Sequence, residues 1–223
     1  MATFQAQIEA TTNVAFDTNP APTTAQLTQF LTDGAKEVIS RISIGSPEKL
    51  PLFSVSATVS NDNGLATQNG LVISVLRADG TSADNLEPCS RISSDLRYRV
   101  TDTESLDYRS VFNPAYYILD GKVYIVPEPT NSTTNKGVIH SVGYPVVAYN
   151  ESSIVEFPNE YEYLVVLYAT MKTFESIMAF YANDEEDIEL VQAIQPNLIM
   201  AQQVYDKQFA LMMPPQEERE EAR

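Results

Sequence analysis

His140 is the only histidine of the chain, so any Ser/His/Asp or Cys/His scheme must run through it, because such schemes need an imidazole that takes and returns a proton near neutral pH. Its flanks, Gly137-Val138-Ile139 and Ser141-Val142, read as a strand and not as a strained catalytic turn. No catalytic residue is assigned. Cys89 is the only cysteine, which excludes an intrachain disulfide and a Cys-based metal cluster and suits a reducing cytoplasm. The 8 glycines are scattered, with neither the Walker nor the dinucleotide spacing, so no cofactor is expected. Asp184-Glu185-Glu186-Asp187 offers the oxygen ligands that hard cations prefer. Successive side chains on one helical turn radiate outward, however, and the four acids are read as favourable charge at the positive end of a helix. Asn61-Asp62-Asn63-Gly64 lacks the alternating ligands and distal Glu of an EF-hand and reads as a turn. No metal site is expected. A hydrolase would have to use carboxylates such as Asp120 and Glu128, and nothing in the sequence sets two of them face to face. The chain is read as a non-enzyme.

Arg91, Arg97, Arg99 and Arg109 are the one concentration of bases, and Arg97 and Arg99 share a face if their segment is a strand. They form either a solvated strand face or a contact with the acidic surface of a neighbouring subunit, for which the planar guanidinium is well suited. The net charge of −16 excludes affinity for nucleic acid by phosphate neutralisation. The acids are concentrated: residues 151–223 hold 15 acids against 4 bases, residues 51–150 only 10 against 7. Such a field is a solvated face, a device that keeps subunits apart before assembly, or the lining of a passage through which DNA slides without sticking. The 12 tyrosines suit half-wet contacts such as interfaces. The first ten residues have no basic segment leading into an apolar one, so they are not a secretory signal, and the protein is expected to start near Met1.

The elements that must position these residues fall into three parts. Residues 1–22, with Pro20 and Pro22, are expected to form an extended arm. A helix should follow from Thr23 or Thr24, with Leu27, Phe30, Leu31, Val38, Ile39 and Ile42 on one stripe, ended by Gly45-Ser46-Pro47. Residues 50–150 read as an inserted antiparallel β domain, a meander or a small sandwich, with turns at Asn61–Gly64, Asp79-Gly80 and Asp120-Gly121. Asp120-Gly121 predicts a type I′ hairpin, and residues 137–142 are expected to pair next in the same sheet. Residues 23–49 and 151–213 make a helical bundle, and residues 214–223 a flexible acidic tail. The segment from Pro158 to Tyr181 is apolar nearly all round, so it must be buried, yet it falls short of the ~20 uninterrupted apolar residues that a bilayer requires. With only two other convincing helices to cover it, a core shared between subunits is expected. The next helix should turn Ile188, Val191, Ile194, Leu198, Tyr205 and Phe209 inward and kink at Pro196.

Residues 156–187, EFPNEYEYLVVLYATMKTFESIMAFYANDEED, and residues 111–130, VFNPAYYILDGKVYIVPEPT, resemble structural proteins of tailed bacteriophages. More narrowly, the chain is similar to a head-to-tail connector, the neck or adaptor ring below the portal. The resemblance implies an α+β fold in which a helical bundle from both ends of the chain carries the inserted β domain. It also implies self-association into a ring, commonly of twelve, that continues the DNA channel. The implied partners are the portal protein, tail or nozzle proteins and the passing genomic DNA, which is not recognised by sequence. The implied location is the virion neck, after assembly in the host cytoplasm and without a membrane. The helices 158–181 and 183–213 would form the ring body. The expected interface residues are Tyr161, Tyr168, Phe180, Tyr181, Met212 and Met213, with Arg91, Arg97, Arg99 and Arg109. Another head or tail component of a virion would share this layout, and a soluble ligand-binding module would use the β insert as its cup.

Overall fold

The computed structural model describes residues 2–16, 22–67, 70–183 and 188–213. It is α+β: helices come from both ends of the chain and two sheets from its middle. Two compact units result, Met1–Leu52 with Tyr144–Arg223, and Phe53–Gly143. No described helix is long and apolar enough to cross a membrane. The acidic run 184–187 and the tail 214–223 lie outside the described residues.

The first unit is helical. Where an extended arm was expected, Phe4–Thr12 forms a helix, α1. Phe4 and Ile8, four residues apart on one face, are its buried side chains. Thr3 caps it by accepting the Ala6 N–H, and two further first-turn N–H groups, of Phe4 and Gln5, donate to the carbonyls of Glu151 and Tyr149 at 2.7 and 2.9 Å. The prolines that suggested an arm lie beyond the helix and do not interrupt it.

Helix α2 (Thr24–Gly45) has the expected stripe, with Leu27, Leu31, Val38, Ile39 and Ile42 buried, and Thr23 and Gln26 complete a reciprocal capping box. Gly34 looks costly in the middle of a helix, but a Cβ there would stand 3.1 Å from the Tyr168 ring and 3.2 Å from the Val165 carbonyl. The missing side chain lets α2 approach α3 (Asn159–Asn183) closely. A 3-10 turn, Pro47–Phe53, follows α2.

Helix α3 is the centre of this unit. It packs on α1, α2 and α4 (Ile188–Met212), and twelve of its 25 residues are buried. Three helices of the same chain therefore cover it, and the expectation that its apolar surface needs a second subunit does not hold. The helix that the sequence had not offered, α1, supplies the missing cover. Burying side chains such as Leu164, Val165 and Ile177 stabilises by roughly 1.5–3 kcal/mol each. Glu162, also buried, accepts the Ile154 N–H at 2.7 Å and ties the entering loop to the helix.

The second unit is a small sandwich. Its strands are β1 (Val55–Val59), β2 (Leu65–Ala66), β3 (Leu71–Ala78), β4 (Leu86–Pro88), β5 (Ser90–Arg91), β6 (Ala115–Leu119), β7 (Lys122–Val126) and β8 (Gly137–Val142). They form two four-stranded sheets, in the orders β1-β8-β3-β4 and β2-β7-β6-β5. Val59, Val75 and Ile139 from the first sheet meet Val123 and Ile125 from the second, the inward-facing sets of a two-layer core. The β6–β7 hairpin turns at Asp120 and Gly121 with φ of 50° and 71°, as a type I′ turn requires. Contrary to expectation, β8 does not extend that hairpin. It crosses to the other sheet and pairs with β1 and β3.

Candidate interaction surfaces

The chemistry-bearing residues do not converge. His140 stands on β8 between Ser56 and Ser74, its partners on the neighbouring strands. Burial pushes the Cys89 thiol up to about 12, so it is protonated at neutral pH and a poor nucleophile. Among the described residues no group of three His, Cys, Asp or Glu is placed to hold a metal ion.

The arginines divide into different environments. Arg97 and Arg99 do not share a strand face, because residues 94–96 form a 3-10 turn that carries both onto the loop before β6. The Arg97 guanidinium lies 4.6 Å from the centre of the Tyr98 ring, and its hydrogen bond with the Tyr98 hydroxyl raises its pKa. Arg99 pairs with Asp107 at 3.0 Å on the surface, an interaction of little consequence for stability. Arg109 donates to the Asn113 amide oxygen at 3.1 Å, with its Nε buried and unpartnered. Arg91 is exposed on β5, an edge strand.

The arginine that shapes the sandwich is one the sequence did not single out. Arg77 on β3 is 1% exposed, and burial lowers its pKa. It donates to the carbonyls of Pro127 and Ala78 at 2.6 Å, to that of Glu128 at 3.2 Å and to the Asn135 side chain. Its fork of N–H groups thereby organises the loop after β7. The only sequence hint was a base inside the run Leu71–Ala78, which reads as a buried strand.

Near that loop a cleft of about 230 Å³ opens in the sandwich. Tyr117 and Tyr124, cross-strand partners on β6 and β7, stack along it at 5.1 Å between ring centres. A Cβ at Gly64 would fall 2.8 Å from the Tyr124 ring, and Gly64 has φ of 67°, so two constraints hold glycine there. Asp62, Glu128, Arg97 and Tyr98 complete the rim. Burial raises the Tyr117 pKa, reinforced by Tyr124.

In the helical unit the expected interface residues separate. Tyr161 is buried in the core of its own chain and cannot meet a neighbour. Tyr168 packs within the chain on Tyr205, 6.3 Å between ring centres. Phe180 and Tyr181 make an edge-to-face pair at 5.5 Å and remain half-buried. Met213 lies over Gly45 at the end of α2, and the Met212 carbonyl accepts from Lys49, so the end of α4 is anchored.

Between its ends α4 is held mainly on one side. Of the six residues expected to face inward only Tyr205 is buried, and Ile188 is exposed. The Arg41 guanidinium of α2 covers the Tyr205 and Phe209 rings at 5.2 and 5.3 Å. Burial, partly opposed by Arg41, pushes Tyr205 up to about 12, and its hydroxyl is buried without a partner. The opposite side of α4 leaves Ile188, Ile199, Met200 and Leu211 exposed at 66, 45, 60 and 69%. From Leu190 to Tyr205 the helix has no charged residue. Pro196, Met200, Gln203, Lys207 and Leu211 recur at the spacing of one helical face and all are exposed. Sequence periodicity alone placed an apolar stripe on α4 but could not say that large apolar side chains also stand on its exposed side.

A family model described as SU10 adaptor protein matches residues 3–222. No curated protein matches the chain.

Proposed function

Since the chain belongs to the SU10 adaptor protein family, phage structural adaptors of the virion, we propose that its copies close into a ring of twelve in the neck, between the portal and the tail or nozzle proteins, and continue the DNA channel. The observation that carries this reading is the outward face of α4. In a chain of net charge −16, an exposed helix with sixteen consecutive uncharged residues and several exposed large apolar side chains is the surface on which a copy can approach another without charge repulsion. The contact is heterologous: the α4 face meets a different face of the next copy, and the rotation closes. The acidic helical segments keep free subunits apart in the host cytoplasm and give passing DNA nothing to grip. Residues 214–223 reach the portal.

The absolute mass of the purified chain, alone and mixed with the portal ring of the same virus at moderate salt, tests this. A closed ring, or a monomer that adds to the portal in fixed stoichiometry, is expected. A monomer indifferent to the portal refutes the reading. Deleting residues 214–223 is expected to leave folding intact and weaken addition to the portal.

A further inference from the structure

We propose that the cleft in the sandwich receives a guanidinium side chain, and that its occupant is Arg91 of a second copy of this chain. This deepens the ring reading and rests on copies meeting, but it concerns a second contact, made by the sandwich and independent of α4.

The cleft has the composition of a cation site. Asp62 and Glu128 flank it, and among the described residues neither carboxylate has an ion pair. The one cation on the rim, Arg97, is already drawn onto the Tyr98 ring and hydroxyl. Stacked Tyr117 and Tyr124 add ring surface, to which a guanidinium is attracted by the negative face of the π system. At about 30 Å³ per water, 230 Å³ holds several waters, enough space for a planar head group. The site is also pre-set. Gly64 is packed against Tyr124, and Arg77 fixes the Pro127 and Glu128 carbonyls, so little ordering is left for binding to impose.

Among the described residues the sandwich supplies one matching donor. Of the sandwich's five arginines, Arg77 is buried on carbonyls, Arg97 sits on Tyr98, Arg99 pairs with Asp107 and Arg109 with Asn113. Of these five, all among the described residues, Arg91 alone has no side-chain hydrogen bond or ion pair. It stands on β5, at one edge of the second sheet, whereas Asp62 lies in the turn leading to β2, at the other edge. Donor and acceptor are different patches of one chain, so their contact is head-to-tail, repeats from copy to copy and is the kind a ring needs.

The test is self-association of the full chain by sedimentation near 0.15 M salt, where the Debye length is about 8 Å. The variants are Arg91→Glu, the double change Asp62→Arg with Glu128→Arg, and all three together. All three positions are exposed, so the variants fold, which circular dichroism checks. Each one-sided change is expected to weaken association on the order of tenfold, the effect of about 1.4 kcal/mol, and the combined reversal to recover most of it. Unchanged association in the one-sided variants, or no recovery in the combination, overturns the proposal. If the wild type is monomeric alone, the same loss and recovery is read in copies bound per portal ring. An unaltered copy number then overturns this contact and leaves the ring standing, whereas a wild type that neither associates nor adds to the portal overturns both.

Discussion

Helices α3 and α4 are each 25 residues long and rich in large apolar side chains, yet twelve residues of one are buried and a single residue of the other. The difference is in neighbours. Around α3 stand α1, α2 and α4, whereas α4 has α3 as its principal helical partner. Apolar content therefore says how much surface a helix would bury, and the chain's own topology decides how much of it is buried within one subunit. The remainder, on α4, is what an assembly can use.

The comparison breaks most visibly under truncation of side chains. Leu164→Ala, at a fully buried position of α3, is expected to cost about 2–5 kcal/mol, through lost transfer energy and a residual cavity. Met200→Ala, on the exposed side of α4, is expected to stay within about 0.5 kcal/mol. Urea unfolding of the two variants measures both. Equal losses would mean that α4 is covered in the free chain and that the two helices do not differ.

Much of this was legible in the sequence. The α2 stripe with its Thr23 cap, the Asp120-Gly121 hairpin and the insertion of a β-rich middle between helices all follow from local rules of spacing and turn chemistry. What was not legible is non-local. Phe4 and Ile8 make a helix only because α3 offers a surface and residues 149–151 offer carbonyls, while nearby prolines argued locally for an extended chain. The destination of β8 depends on which sheet completes its pairing, and alternation along the strand is the same in either. Arg77 was not singled out because three of its four acceptors, at Pro127, Glu128 and Asn135, lie 50 and more residues away. Residue type alone does not separate core from surface: Tyr161, expected at an interface, is aromatic and buried, and the outward residues of α4 share the inward ones' chemistry.

The single buried residue of α4 sharpens the comparison further. Tyr205 is 2% exposed and its hydroxyl has no partner, so it pays for desolvation without a compensating bond. Tyr205→Phe is expected to be neutral or to stabilise by roughly 1 kcal/mol. Its ionisation supplies a pH test. The folded-state pKa of about 12 lies above the unfolded value near 10, so the folded chain holds this proton more tightly. The associated stability is fully present below pH 10 and is lost as pH rises towards 12. Wild type should therefore lose stability over that window more steeply than Tyr205→Phe in parallel urea titrations. Identical slopes would place the Tyr205 hydroxyl in water.

The smallest expected effect on folding is also the one that bears most on assembly. Met200→Asp places a carboxylate at the centre of the uncharged stretch of α4, at a position 60% exposed, where solvent hydrates it at little cost in the free subunit. Thermal and urea midpoints should match the wild type. In the proposed ring the same carboxylate would be buried against a neighbour and unpaired, a penalty of several kcal/mol that recurs at every interface. Copies added to the portal, read by absolute mass, should then fall to none while the free chain remains folded. A variant that adds normally would move the subunit contact off this face of α4, even if the ring itself stands.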